Sequence, residues 1–111
     1  MNVATEREIS VDMTTDELST MMDEPDVEGL ILSAAARAAL FSAAPNPVGG
    51  NWFTCSLDVT RELLAWGEAG VARWSSVDPK RAELFRAAAR QVTFGLWRVG
   101  EGPPPASVSI E

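Results

Sequence analysis

The chain has 111 residues and contains neither histidine nor tyrosine. Histidine is the commonest general base and the commonest neutral metal ligand, so its absence removes Ser-His and Cys-His nucleophile pairs and imidazole metal sites. The single cysteine, Cys55, excludes thiolate zinc sites, a Cys-x-x-Cys redox pair and an internal disulfide. No apolar run reaches the roughly 18 residues that a membrane span needs, so none is expected. The opening MNVATEREIS places acids where a signal peptide requires a basic start and an apolar middle, and the expectation is a cytoplasmic protein. No glycine pattern resembles a phosphate loop: Gly49-Gly50 and Gly67 to Gly70 lack the following Lys-Ser/Thr or the three-glycine spacing. No cofactor is predicted.

Bases are also scarce. Nine Lys and Arg face sixteen Asp and Glu, for a formal charge of −7, which disfavours direct nucleic-acid binding because phosphate contacts need a basic face. The excess is concentrated: residues 1–30 carry nine acids against Arg7 alone. Asp23, Glu24, Asp26 and Glu28 form the densest set. A calcium loop would need ligands at alternating positions around a central glycine; Pro25 interrupts that spacing and Gly29 comes too late, so no metal site is predicted. Acids at helix starts, which complement the positive end of the helix dipole, account for the same residues.

What is present suffices for a core. Apolar residues make up 46% of the chain, enough for one domain spanning residues 1–111. Residues 100–111 form a Pro-rich tail in which three successive prolines supply no backbone donors. The expected fold class is α+β: a helix-rich single small domain with a few short antiparallel strands, an all-α bundle being the alternative.

The stretch Asn51 to Trp74 organises the rest. It holds three of the four Trp residues and the only Cys, and its period changes partway. Trp52 to Val59 alternates, with Phe53, Cys55, Leu57 and Val59 on one side, which predicts a half-buried strand. From Thr60, a natural N-cap, Leu63, Leu64, Trp66 and Val71 follow a helical stripe that is expected to break at Gly67 or Gly70. Upstream, Ile9, Val11 and Met13 alternate as a first strand. Thr14 to Glu17 then matches a capping box, leading into a short helix.

A second helix is predicted from Pro25 or Asp26 to Ala44, on the stripe Val27, Leu30, Ile31, Ala34, Ala38 and Phe41. The loop PNPVGGN follows it. Asp78-Pro79 starts a further helix by the same chemistry, with Leu84, Phe85, Ala88 and Val92 as its apolar face. Residues 91–99 fit either period; the reading is helix to about Val92, then extended chain. The terminal ASVSIE reads as a short strand or a disordered end.

With no catalytic grouping in view, the expected function is non-enzymatic: a protein-binding module of the regulator, adaptor or inhibitor kind. Its partner would be another protein with a basic surface. The contact residues would be Asp16, Glu17, Asp23, Glu24, Asp26 and Glu28, with Trp52, Trp74 and Trp97 as aromatic anchors, since Trp is enriched at interfaces. A narrower version is an acidic inhibitor that blocks a basic nucleic-acid-binding surface, as DNA mimics and phage anti-defence proteins of similar size and charge do. Two other classes stand beside it. One is a homo-oligomer in which the acidic segment of one copy meets basic helix 79–91 of another. The other is a small-ligand site lined by Trp66, Trp74 and Phe85. Cys55 is expected to point inward and behave as a small apolar residue.

Overall fold

The computed structural model describes residues 8–24 and 26–105. Arg7, Pro25 and the terminal ASVSIE, each given a role above, lie outside the described residues. Among those described, four helices and one three-stranded antiparallel sheet occur in the order β1 (Ile9–Met13), α1 (Thr15–Asp23), α2 (Ala34–Phe41), β2 (Ala44–Pro45), β3 (Asn51–Cys55), α3 (Leu57–Trp74) and α4 (Pro79–Arg98). The α+β class read from the sequence is the one observed.

The sheet runs β1-β3-β2, with Val11 opposite Phe53 and Asp12 opposite Trp52. Side chains alternate across a strand, so Ile9, Val11, Met13, Phe53 and Cys55 share the buried face, while Ser10, Asp12, Trp52 and Thr54 share the other. The capping box forms as the sequence predicts. The Thr14 hydroxyl accepts from the Glu17 N–H at 3.1 Å, and the Glu17 carboxylate accepts from the Thr14 N–H at 3.0 Å. Asp78 likewise caps α4, with Pro79 in its first turn.

Four expectations are corrected. The helix predicted from Pro25 or Asp26 to Ala44 exists only as α2. Before it, Val27 and Leu30 exchange both backbone hydrogen bonds around Glu28 and Gly29, whose φ values are 52° and 85°. Two left-handed residues in succession make a tight hairpin turn, which no helix can pass through. Ser33 then restarts the chain, accepting from the Ala36 N–H. The second concerns only the ends of the PNPVGGN loop, since 46–50 form a loop as read while Pro45 and Asn51 are strand residues. The loop is a hairpin connection: Pro45 is paired to Asn51, and the Asn46 N–H donates to the Gly50 carbonyl.

The third correction concerns the organising stretch. Strand β3 ends at Cys55, and Ser56, not Thr60, is the N-cap of α3. Both side chains can cap, but the earlier start turns Thr60 inward. Its hydroxyl donates to the Ser56 carbonyl at 2.7 Å and lies 3.2 Å from Cys55 Sγ. Helix α3 then continues through Gly67 and Gly70, because those glycines are where α4 comes closest. A Cβ on Gly67 would lie 3.0 Å from Ala89 Cβ, and one on Gly70 would overlap the Phe85 ring. Fourth, residues 92–98 are helical throughout. Val92, Gly95 and Leu96 continue the buried face of Phe85, Ala88 and Ala89, and that face packs against α3 and β1.

The core joins all these elements. Trp66 and Phe85 are its largest buried side chains, packed with Ile9, Met13, Met21, Leu40 and Leu63. No described helix is long and apolar enough to cross a membrane.

Cys55 is buried, and burial is the main cause that raises its thiol above the ordinary value of 9.0; Glu8 adds to this, and the contact with Thr60 opposes it. The neutral thiol is a poor nucleophile, so Cys55 is expected to be alkylated slowly in the folded protein and at the free-thiol rate in urea. The linkage follows from the same shift. Well below pH 9 the thiol is protonated in both states and has no effect, whereas as pH rises toward and above 9 the unfolded chain ionises first and stability falls. Replacing Cys55 by Ala should remove that alkaline decline, which urea titrations at pH 8 and 10 would read.

Candidate interaction surface

The acidic residues divide into those already engaged and those left open. Glu17 is 92% buried and held in the capping box. Glu24 is bound by Arg81, whose Nε and Nη2 donate to one carboxylate oxygen at 3.0 and 2.6 Å; Asp23 lies 3.5 Å from the same guanidinium. Thus the end of α1 meets the basic start of α4 within one copy. Asp16, Asp26 and Glu28 are exposed, the first on α1 and the other two at the tight turn.

The tryptophans separate as well. Trp66 is fully buried, and its indole N–H donates to the Met21 carbonyl at 2.9 Å, satisfying one of the unpaired carbonyls at the end of α1. Trp74 is half-buried with two guanidinium groups over its ring, Arg73 at 4.4 Å and Arg81 at 5.1 Å from its centre. Its indole N–H is buried with no acceptor among the described residues. The Glu24–Arg81–Trp74 stack therefore joins α1 to the turn between α3 and α4.

Trp52 and Trp97 are the exposed pair, at 43% and 38%. Trp97 packs against Phe94 with the two rings tilted at 60°, and Arg98 covers the Phe94 ring at 5.3 Å. Helical geometry turns Trp97 about 200° from Gly95, the residue of α4 that faces β1. Trp52 lies on the outer face of the sheet. These two tryptophans therefore belong to different sides of the domain.

The tertiary structure adds a residue to the acidic set. Asp12 faces Trp52 across the β1–β3 ladder and accepts from Asn46 Nδ2 at 3.3 Å. Asn51, next to Trp52, donates to the Thr15 hydroxyl at 3.2 Å and so ties the start of β3 to the first turn of α1, where Asp16 is exposed. Asp12 and Trp52 therefore share one end of the sheet, and the first turn of α1, with Asp16, adjoins it. Alternation in REISVDM places Asp12 on the solvent side, but nothing in the sequence pairs it with a residue forty positions away.

The set of Trp66, Trp74 and Phe85 does not line an open site, since Trp66 and Phe85 are inside the core. Among the described residues, no three acids or thiols gather closely enough to hold a metal ion. No family model, curated protein or solved structure matches this chain.

Proposed function

We propose that the protein is a non-catalytic protein-binding module and that the end of the sheet carrying Trp52 and Asp12, with the adjoining Asp16, meets a partner with a basic surface. The observation that supports this reading is a 43%-exposed Trp paired with Asp12 on the outer face of a small sheet, with Asp16 exposed on the first turn of α1 that Asn51 ties to it. An exposed indole flanked by acids matches the arrangement in which an aromatic anchor supplies buried area while charge steers the approach. Asp26 and Glu28 are exposed at the tight turn and add to the acidic surface.

Capture from host lysate on the immobilised protein, at low and then high salt, tests the reading when run alongside Trp52→Ala and Asp12→Asn/Asp16→Asn. One stoichiometric protein is expected. It should be lost with Trp52→Ala and weakened by both salt and the double variant, because exposed charges are screened over about 10 Å at 0.1 M salt. Retention unchanged by all three would sink it. A retained partner that is itself a nucleic-acid-binding protein, and that nucleic acid competes off, would favour the narrower inhibitor reading.

A further inference from the structure

A groove of about 380 Å3 runs between α3 and α4 and is closed on one side by the tail, where Pro104 and Pro105 lie against it. Its size is within the range of small-ligand sites. Leu64 and Val71 of α3 and Ala89 of α4 supply an apolar lining. Gly67 allows α3 to touch Ala89, which keeps the helices close beneath it.

Charge on the lining is specific. Arg86 donates to Glu83 at 2.6 Å, so its guanidinium is partly engaged. Arg90 is exposed and has no ion-pair or hydrogen-bond partner among the described residues. Glu68, on the α3 side, is the one carboxylate of the lining.

We infer that this groove binds a small monocarboxylate with an apolar body. The body lies on Leu64 and Val71 against the two prolines, and the carboxylate sits on Arg90. Charge complementarity selects the class. A planar guanidinium matches a carboxylate with two parallel hydrogen bonds, and the apolar trough beside it takes the apolar body. Glu68 and the overall charge of −7 both oppose polyanions such as nucleotides. The site is separate from the end of the sheet that carries Trp52, and the inference does not depend on the partner reading.

Titration of the full chain with decanoate, followed by calorimetry and by the methyl resonances of Leu64 and Val71, is the test. Decanol serves as the uncharged control. Decanoate is expected to bind saturably and at least about tenfold more tightly than decanol, the order of a charge-assisted hydrogen-bonded pair. Arg90→Gln should remove that difference without unfolding the protein, because Arg90 is exposed. Trp52→Ala should leave the titration unchanged.

Equal binding of decanol and decanoate, or a decanoate affinity indifferent to Arg90→Gln, would overturn the assignment. So would groove resonances that move with protein concentration and not with decanoate, since the groove would then be a face between copies.

Discussion

Replacing Trp66 by Ala is expected to lower the unfolding free energy by about 3–5 kcal/mol, the range for truncating a large buried aromatic side chain. For a domain whose total stability is of order 5–15 kcal/mol, this is enough to leave much of the population unfolded at ordinary temperature. Trp66 is the largest of the fully buried side chains, and it touches the core that joins sheet and helices.

Its second role is separable. The indole N–H holds the Met21 carbonyl at the end of α1, and Trp66→Phe keeps most of the ring while leaving that acceptor unpaired. An unpaired buried acceptor costs about 1–3 kcal/mol, so the Phe variant should fall between wild type and Ala. Urea unfolding with an unchanged slope measures both values, since a shift of midpoint at constant slope is a change of stability. A Phe variant as stable as wild type would show that water satisfies the Met21 carbonyl as well as the indole does.

The second large effect opposes intuition from helix propensity. Gly95 lies within α4, where Gly→Ala at an open site would stabilise by about 1 kcal/mol. Here the added Cβ would lie 2.8 Å from the Ser10 carbonyl and 3.1 Å from Ile9 Cγ2. The first of these is strand backbone, held by the β1–β3 ladder, and cannot rotate aside. Gly95→Ala is therefore expected to destabilise by about 1–3 kcal/mol, the ordinary cost of overpacking.

Gly70→Ala meets the Phe85 ring instead, and that ring is fully buried in the core. In a domain of this size each kcal/mol moves the melting temperature by about 4–8 °C, so a thermal scan gives the sign directly. A Gly95→Ala protein that melts higher than wild type would mean that α4 and β1 separate without loss, and the close packing of the two would not matter to stability.

Local chemistry made much of the fold legible. The capping box at Thr14 and Glu17 and the Asp78-Pro79 start each act over three or four residues, and both were readable from the chain alone. Alternation in Ile9, Val11 and Met13 gave one strand and its buried face for the same reason. The Ala-rich run of α2 was also visible, but its start was not. Val27, Leu30 and Ile31 fit a helical stripe, and only the left-handed backbone at Glu28 and Gly29 shows that they flank a turn.

Residues 92–98 show the limit most clearly. Val92, Phe94 and Leu96 satisfy a strand period, while Ala88, Val92 and Leu96 satisfy a helical one. Two periods that fit the same letters are separated by what each face would touch. The extended reading would have turned Gly95 away from Val92 and Leu96, and the close approach of α4 to β1 through that glycine decides for the helix.

The candidate contact surface divides in the same way. Composition and charge alone established an acidic segment, an excess of Trp, and the absence of histidine chemistry. They did not distinguish Glu17, which caps a helix, Glu24, which holds Arg81, and Asp12, which accepts from Asn46, from the exposed Asp16, because a carboxylate's role depends on which donor the fold brings to it. Strand register alone joined Asp12 to Trp52, and helix packing alone set Arg90 beside an apolar groove. The sequence by itself determined the elements whose causes lie within a few residues. Everything that depends on residues thirty or more apart came from tertiary structure, because the packing contacts, hydrogen bonds and ion pairs between such residues exist only once the chain is folded.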